Sequence, residues 1–275
     1  MMELPEAAVA AQQVNETVSG KRILNVTAAQ SPHKFAWYHG DPQKYHELLT
    51  GKVVGRASGM GGHLEIKAED GVILLSDGVN LRYHGEKEER PKKHQLLIEF
   101  EDESALSASV QMYGGVSCFI DGKYDNNYFR LAKDKPSPLS DRFDRAYFDG
   151  IVSAPGTEKL SAKALLATEQ RIPGLGNGVL QDILFTAGVH PKRKVKTFSQ
   201  EEKSRIFEAI KSSLAEMTFQ GGRDTEKDLF GCNGGYKTKL SKNTVDKPCA
   251  VCGSIIRKEA YMGGSIYYCS GCQKL

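Results

Sequence analysis

The chain has no apolar run that approaches the roughly 18 to 20 residues a membrane span needs, and its opening MMELPEAAVA carries Glu3 and Glu6 but no Lys or Arg. A spanning helix is excluded and the charged start of a signal peptide is missing, so the sequence reads as cytoplasmic. Internal repeats and low-complexity tracts are absent. Cations are scarce early on: residues 1–185 hold 21 Lys and Arg against 25 Asp and Glu, a net of −4, whereas residues 186–275 hold 16 against 9, a net of +7. The overall +3 hides this polarity, which points the C-terminal part toward a polyanion without separating DNA from RNA.

At 275 residues, 40% hydrophobic and 26% charged, the chain can bury more than one core, and it reads as an α+β protein in three parts. Residues 1–131 open with a helix over about 5–19, with Pro5 in its first turn and Gly20 as its stop. Short runs rich in Val, Ile, Leu and Tyr follow at 23–26, 53–56, 72–75, 95–100 and 108–113, as an antiparallel sandwich or barrel requires, with one helix near 42–49 between them. Residues 132–141 have linker composition. From 132 to 245 helical spacing dominates, over roughly 141–151, 161–170, 177–187 and 199–217. Residues 246–275 return to a cysteine-anchored β ribbon.

Cys249-Ala-Val-Cys252 and Cys269-Ser-Gly-Cys272, separated by sixteen residues, are the sharpest motif. Two Cys-x2-Cys knuckles facing each other across a hairpin supply four soft thiolates in a tetrahedron, which suits one zinc ion. Four protein ligands leave no open position for water or substrate, so the zinc is structural. Cys118 and Cys232 lie outside the pattern and read as ordinary cysteines.

Upstream, Arg171-Ile-Pro-Gly-Leu-Gly176 joins two helices, and its glycines allow a tight turn that leaves backbone amides free at the start of the second helix. With Gly174, Gly176 and the Asn177 side chain, those amides form a candidate phosphate site favoured by the helix dipole. The cations Lys192, Arg193 and Lys194 follow, and Lys258 lies in the ribbon. A Pro-Gly-x-Gly-Asn turn standing alone is more often a simple connection; the cluster and the ribbon beside it favour nucleic acid.

Residues 164–177 (ALLATEQRIPGLGN), the stretch to His190-Pro191, the Gly221-Gly222 loop running to Gly234-Gly235-Tyr236, the ribbon end Tyr268-Cys-Ser-Gly-Cys-Gln273 and the opening Glu3-Leu4-Pro5-Glu6 together resemble the formamidopyrimidine-DNA glycosylase/endonuclease VIII family. The resemblance implies a β-sandwich lobe, a helix-two-turn-helix lobe and a zinc finger closing on double-stranded DNA. It also implies DNA repair by base excision, with a damaged base flipped out of the stack and an N-terminal proline amine attacking the sugar. Glu3 falls at the family's catalytic glutamate, Glu6 also matches, and Asn177 falls at its phosphate-binding asparagine. Gln111, Met112 and Tyr113 resemble the residues that fill the gap left by the everted base; the alternative is a plain strand end with Tyr113 in the core.

The sequence departs from the family where Met2 occupies the position of the proline nucleophile. Gly264 stands at the finger arginine, and Gly62 or His63 at a phosphate-binding lysine, with Lys239, Lys242 and Lys258 available to compensate. Three readings follow. The first is a monomeric glycosylase and abasic-site lyase in which either the Met2 amine reacts after loss of Met1, or Glu3 activates water. The others are a catalytically impaired protein that binds lesions or distorted DNA, and a zinc-ribbon adaptor for RNA or protein.

Overall fold

The computed structural model describes residues 2–275. Helix α1 (Leu4–Thr17) holds Pro5 in its first turn, where the missing N–H leaves no helical bond unmade, and buries Ala7, Ala10, Ala11 and Val14 along one stripe. Gly20, with φ of +84°, turns the chain into the sheet. Short helix α2 (Tyr45–Leu49) follows a 3-10 turn at Pro42–Lys44.

The strands are β1 (Ile23–Ala28), β2 (Ala36–Tyr38), β3 (Val54–Met60), β4 (His63–Ala68), β5 (Gly71–His84), β6 (Leu96–Phe100) and β7 (Ala105–Ile120). Six pair in the order β1-β6-β7-β5-β4-β3, all antiparallel, and β2 joins β7 in parallel. Residues 71–75 of β5 are buried without alternation because that part of the sheet is covered on both faces. Ile73 and Leu75 enter the main core beneath α1, while Val72 and Leu74 meet Phe119 and Phe129 on the other side.

The β5–β7 ladder is interrupted once. Asp77 faces Gly114 and the next pair is Val79 with Val110, so Gly78 alone opposes residues 111–113. Gln111, Met112 and Tyr113 therefore bulge from the sheet, with Gln111 and Met112 exposed and Tyr113 partly so. The alternative of a plain strand end with a core tyrosine does not hold.

Helix α3 (Asn127–Asp134) closes the sheet lobe, with Phe129 against its outer face, and the second lobe contains α4 (Arg145–Ser153), α5 (Ala162–Ala167), α6 (Asn177–Ala187) and α7 (Gln200–Phe219). The expected linker at 132–141 is partly helical, since α3 runs to Asp134 and buries Ala132. Asp144 caps α4 through Tyr147 N at 2.7 Å, which delays that helix past residue 141. Glu169 and Gln170 take positive φ and end α5 before 170. Ser199 and Glu202 form a reciprocal capping box at α7. β8 (Ile256–Tyr261) and β9 (Gly264–Cys269) make the terminal hairpin. Among the described residues no helix is long and apolar enough to cross a membrane.

The two main cores exchange one leucine each. Leu4, at the start of α1, packs with Phe143, Leu180 and Leu184 in the helical core, while Leu229 packs in the sheet core. Backbone bonds fix both placements: Leu4 N donates to Gly174 O at 2.9 Å and Tyr83 N to Leu229 O at 2.9 Å. Burying such a side chain contributes roughly 1.5–3 kcal/mol, so the exchange ties the lobes together.

Candidate functional site

Where the lobes meet, the first residues of the chain run between two glycine turns. Gly174 (φ +78°) lies so close to Gly61 that a Cβ on it would run into the Gly61 backbone, and a Cβ on Gly62 would sit 3.1 Å from Met2 O. Met2 is 8% exposed, its side chain packs in the sheet core, and its N–H donates to Asp77 O at 2.7 Å.

One residue further on, Glu3 is 4% exposed. Its Oε1 accepts from Gly178 N at 2.8 Å and its Oε2 from Val179 N at 2.7 Å. Those are the first-turn amides of α6, so the carboxylate sits on the positive end of that helix. The amides expected to be free for phosphate at 178 and 179 are thus occupied, because a carboxylate from the other lobe reaches them first. Gly176 is what admits it: a Cβ there would lie 2.5 Å from Glu3 Oε1.

The seam holds a cation that sequence reading did not single out. Arg223, 2% exposed, donates through Nε to Glu6 Oε1 at 2.9 Å and through Nη2 to Glu6 Oε2 at 2.8 Å, with Nη1 at 3.5 Å from Glu3 Oε2. Glu6 also accepts from Glu3 N at 3.3 Å. The guanidinium passes over Gly178, where any Cβ would overlap Nη1. Two acids and one buried arginine therefore share a low-dielectric pocket. Burial pushes the Glu3 carboxyl above its ordinary value, against the pull of Arg223 and the two amides. For Glu6 burial also pushes upward, but the charge and hydrogen bonds of Arg223 outweigh it and hold that carboxyl low. The fork geometry supports this division, since Arg223 gives Glu6 a bidentate pair and Glu3 only a longer contact.

Helix α6 also grips the terminal hairpin. Asn177 Nδ2 donates to Ser265 O at 2.9 Å, its buried Oδ1 has no hydrogen-bond partner among the described residues, and Gln181 binds the Asn177 and Ser265 carbonyls and Tyr267 N. Gly264 lies beside Asn177 and the buried Lys163, whose Nζ donates to Tyr261 O at 2.7 Å. Of the expected cations, Lys192 pairs with Glu259, Arg193 pairs with Glu202 at 2.8 Å, and the exposed Lys194 donates to Lys159 O at 3.1 Å. Lys258 is exposed beside the Tyr267 ring. Gln181, Lys163 and Arg223 carried no motif signal of their own; only the Gly221-Gly222 loop marked the neighbourhood of Arg223.

The four sulfurs of Cys249, Cys252, Cys269 and Cys272 lie within 4.8 Å of one another, with Cys249–Cys272 at 3.8 Å and Cys252–Cys269 at 3.3 Å. A tetrahedron with metal–sulfur bonds of about 2.3 Å has edges of roughly 3.8 Å, so the quartet is placed to bind a metal ion. None of the six cysteines is in a disulfide.

A sheet lobe and a helical lobe joined by a buried acid–arginine seam, with a four-cysteine finger on the second, define a two-lobed protein with a candidate metal site. Residues 1–134 match the formamidopyrimidine-DNA glycosylase N-terminal domain. Over the full length of both chains, the formamidopyrimidine-DNA glycosylase of Listeria monocytogenes serotype 4b is 30% identical across 283 aligned residues, and that of Bacillus cereus is 26% identical over 99% of each. The fold is that of Lactococcus lactis Fpg in complex with abasic-site DNA (TM-score 0.83, 20% identity, 99% and 100% coverage) and of Thermus thermophilus MutM (TM-score 0.81, 21%, 98% of each). The chain belongs to the formamidopyrimidine-DNA glycosylase family.

Proposed function

We propose that this protein is a base-excision DNA glycosylase that binds damaged duplex DNA and releases the flipped base by hydrolysis, with Glu3 as the proton acceptor. The observation that carries the reading is Glu3 itself, a carboxylate buried at the lobe seam on the amide end of α6. In the reaction a water oxygen forms a bond to the sugar C1′ and its proton passes to Glu3, while the C1′–N bond breaks and the base leaves with the electron pair and takes up a proton. The carboxylate also stabilises positive charge developing on the sugar. The water route is favoured over attack by a Met2 amine because Met2 N is here a peptide N–H that donates to Asp77 O, so no amine stands at that position until Met1 is lost. Zinc is the metal that suits four thiolates, and it would hold the hairpin against Asn177 and Gln181 rather than take part in chemistry. DNA contacts are assigned to Asn177, Gly174, Gly176, Lys192, Arg193, Lys194 and Lys258, with Gln111, Met112 and Tyr113 at the gap left by the base.

The test is incubation with lesion-containing duplex, scoring base release, alkali-labile sites and borohydride-trapped adducts, alongside the intact N-terminal mass. Base release without a trapped adduct is expected, and Glu3→Gln should lower it by about 100-fold or more. A trapped adduct would transfer the chemistry to the N-terminal amine, and no release from any lesion duplex would remove the enzyme reading.

A further inference from the structure

On the side of the sheet opposite α1, a cavity of about 600 Å³ opens beside the residue that holds Met2 N, within the size range of small-ligand sites. Aromatic side chains from three separate segments line it: Trp37 on β2, Tyr113 in the β7 bulge, and Tyr124 and Tyr128 before and within α3. Trp37 and Tyr113 lie with ring centroids 5.9 Å apart at 41°. Tyr124 is held from behind by a stacked contact with Phe119 at 4.4 Å. Phe119 and Phe129 are core residues, but Trp37 is 52% exposed and Tyr128 57%, far more open than packing alone requires.

The charge of the lining selects among ligands. It contains no Lys or Arg; besides His39 and His63 its titratable lining is the tyrosines and the acids Asp77 and Asp125, so no fixed positive charge is there to hold a phosphate group and the two carboxylates disfavour one. Planar faces combined with hydrogen-bond acceptors suit an unstacked base, which stacks on aromatic rings and offers ring and amine N–H groups to carboxylates. The bulge opposite Gly78 is what brings Tyr113 over the cavity, since a Cβ on Gly78 would strike Tyr113 O.

We propose that this aromatic cavity is a second nucleobase site, taking one unpaired base of a DNA strand that passes the seam. The inference rests on the DNA reading above and adds that strands with unstacked bases are preferred to base-free backbone.

Trp37 is the only tryptophan in the chain, so its emission reports directly on occupancy. The full-length protein is titrated with a short single-stranded oligodeoxyadenylate and with a base-free tetrahydrofuran strand of equal length, following Trp37 emission and the anisotropy of a labelled strand. The base-bearing strand should quench Trp37 and bind about tenfold more tightly, and Tyr128→Ala should lower that affinity by about tenfold. Equal binding of the two strands, or saturation without any change in Trp37 emission, overturns the proposal with no variant needed. Excision assayed in parallel separates the failures. Excision without base-dependent quenching sinks the second site alone, while quenching without excision leaves the site standing and sinks the glycosylase reading.

Discussion

Two sets of paired charges flank helix α6, and they are built differently. At its amide end, Glu3, Glu6 and Arg223 are almost wholly removed from water and, with the Gly178 and Val179 amides, tie three distant segments together. On the hairpin side, Lys192 with Glu259 is partly exposed, and Lys258, over the Tyr267 ring, has no acid partner among the described residues. Desolvation makes the first set an all-or-none arrangement, because removing one member leaves a charge that neither water nor protein satisfies. Screening makes the second set replaceable one residue at a time. Within one protein, the buried charges depend on one another and the exposed ones do not.

The comparison is broken most severely by Arg223→Met, which strands both acids. We expect a loss of about 3–5 kcal/mol in chemical denaturation; a loss below about 1 kcal/mol would show that the seam is no more demanding than the surface. The same pairing sets a pH dependence. Glu6 has its carboxyl held low in the folded protein, so its contribution is present above its unfolded value and fades as pH falls through the lower folded one. Next in size is Gly178→Ala, where the new Cβ must displace the guanidinium. A cost of roughly 1–3 kcal/mol is expected, and the double variant with Arg223→Met should be less than additive. Smallest is Lys258→Ala, expected to leave stability within about 0.5 kcal/mol and to reduce the salt slope of duplex binding by about one. An unchanged slope would remove Lys258 from the DNA-facing set.

What could be read from sequence followed the range of the interactions involved. The cysteine quartet announces itself by spacing, since its ligands come in local pairs. Helices α6 and α7 are set by local periodicity and caps. Strand β2 is three residues long and exists only because β7 offers it a partner, so no local pattern could mark it. Arg223 looks like any loop arginine until Gly178, forty-five positions earlier, is seen to leave room for it. The α6 amides were legible as an anion site, but whether the anion is a phosphate or a side chain depends on a fold that brings residue 3 beside residue 178.

The exchanged leucines bear on how the molecule is made. Leu4 leaves the ribosome long before Phe143, Leu180 and Leu184, and the sheet lobe cannot seal over Leu229 until most of the polypeptide has been translated. Vectorial synthesis therefore cannot complete either half on its own. Leu4 has to wait for the helical core, and the sheet lobe has to wait for the loop that carries Leu229.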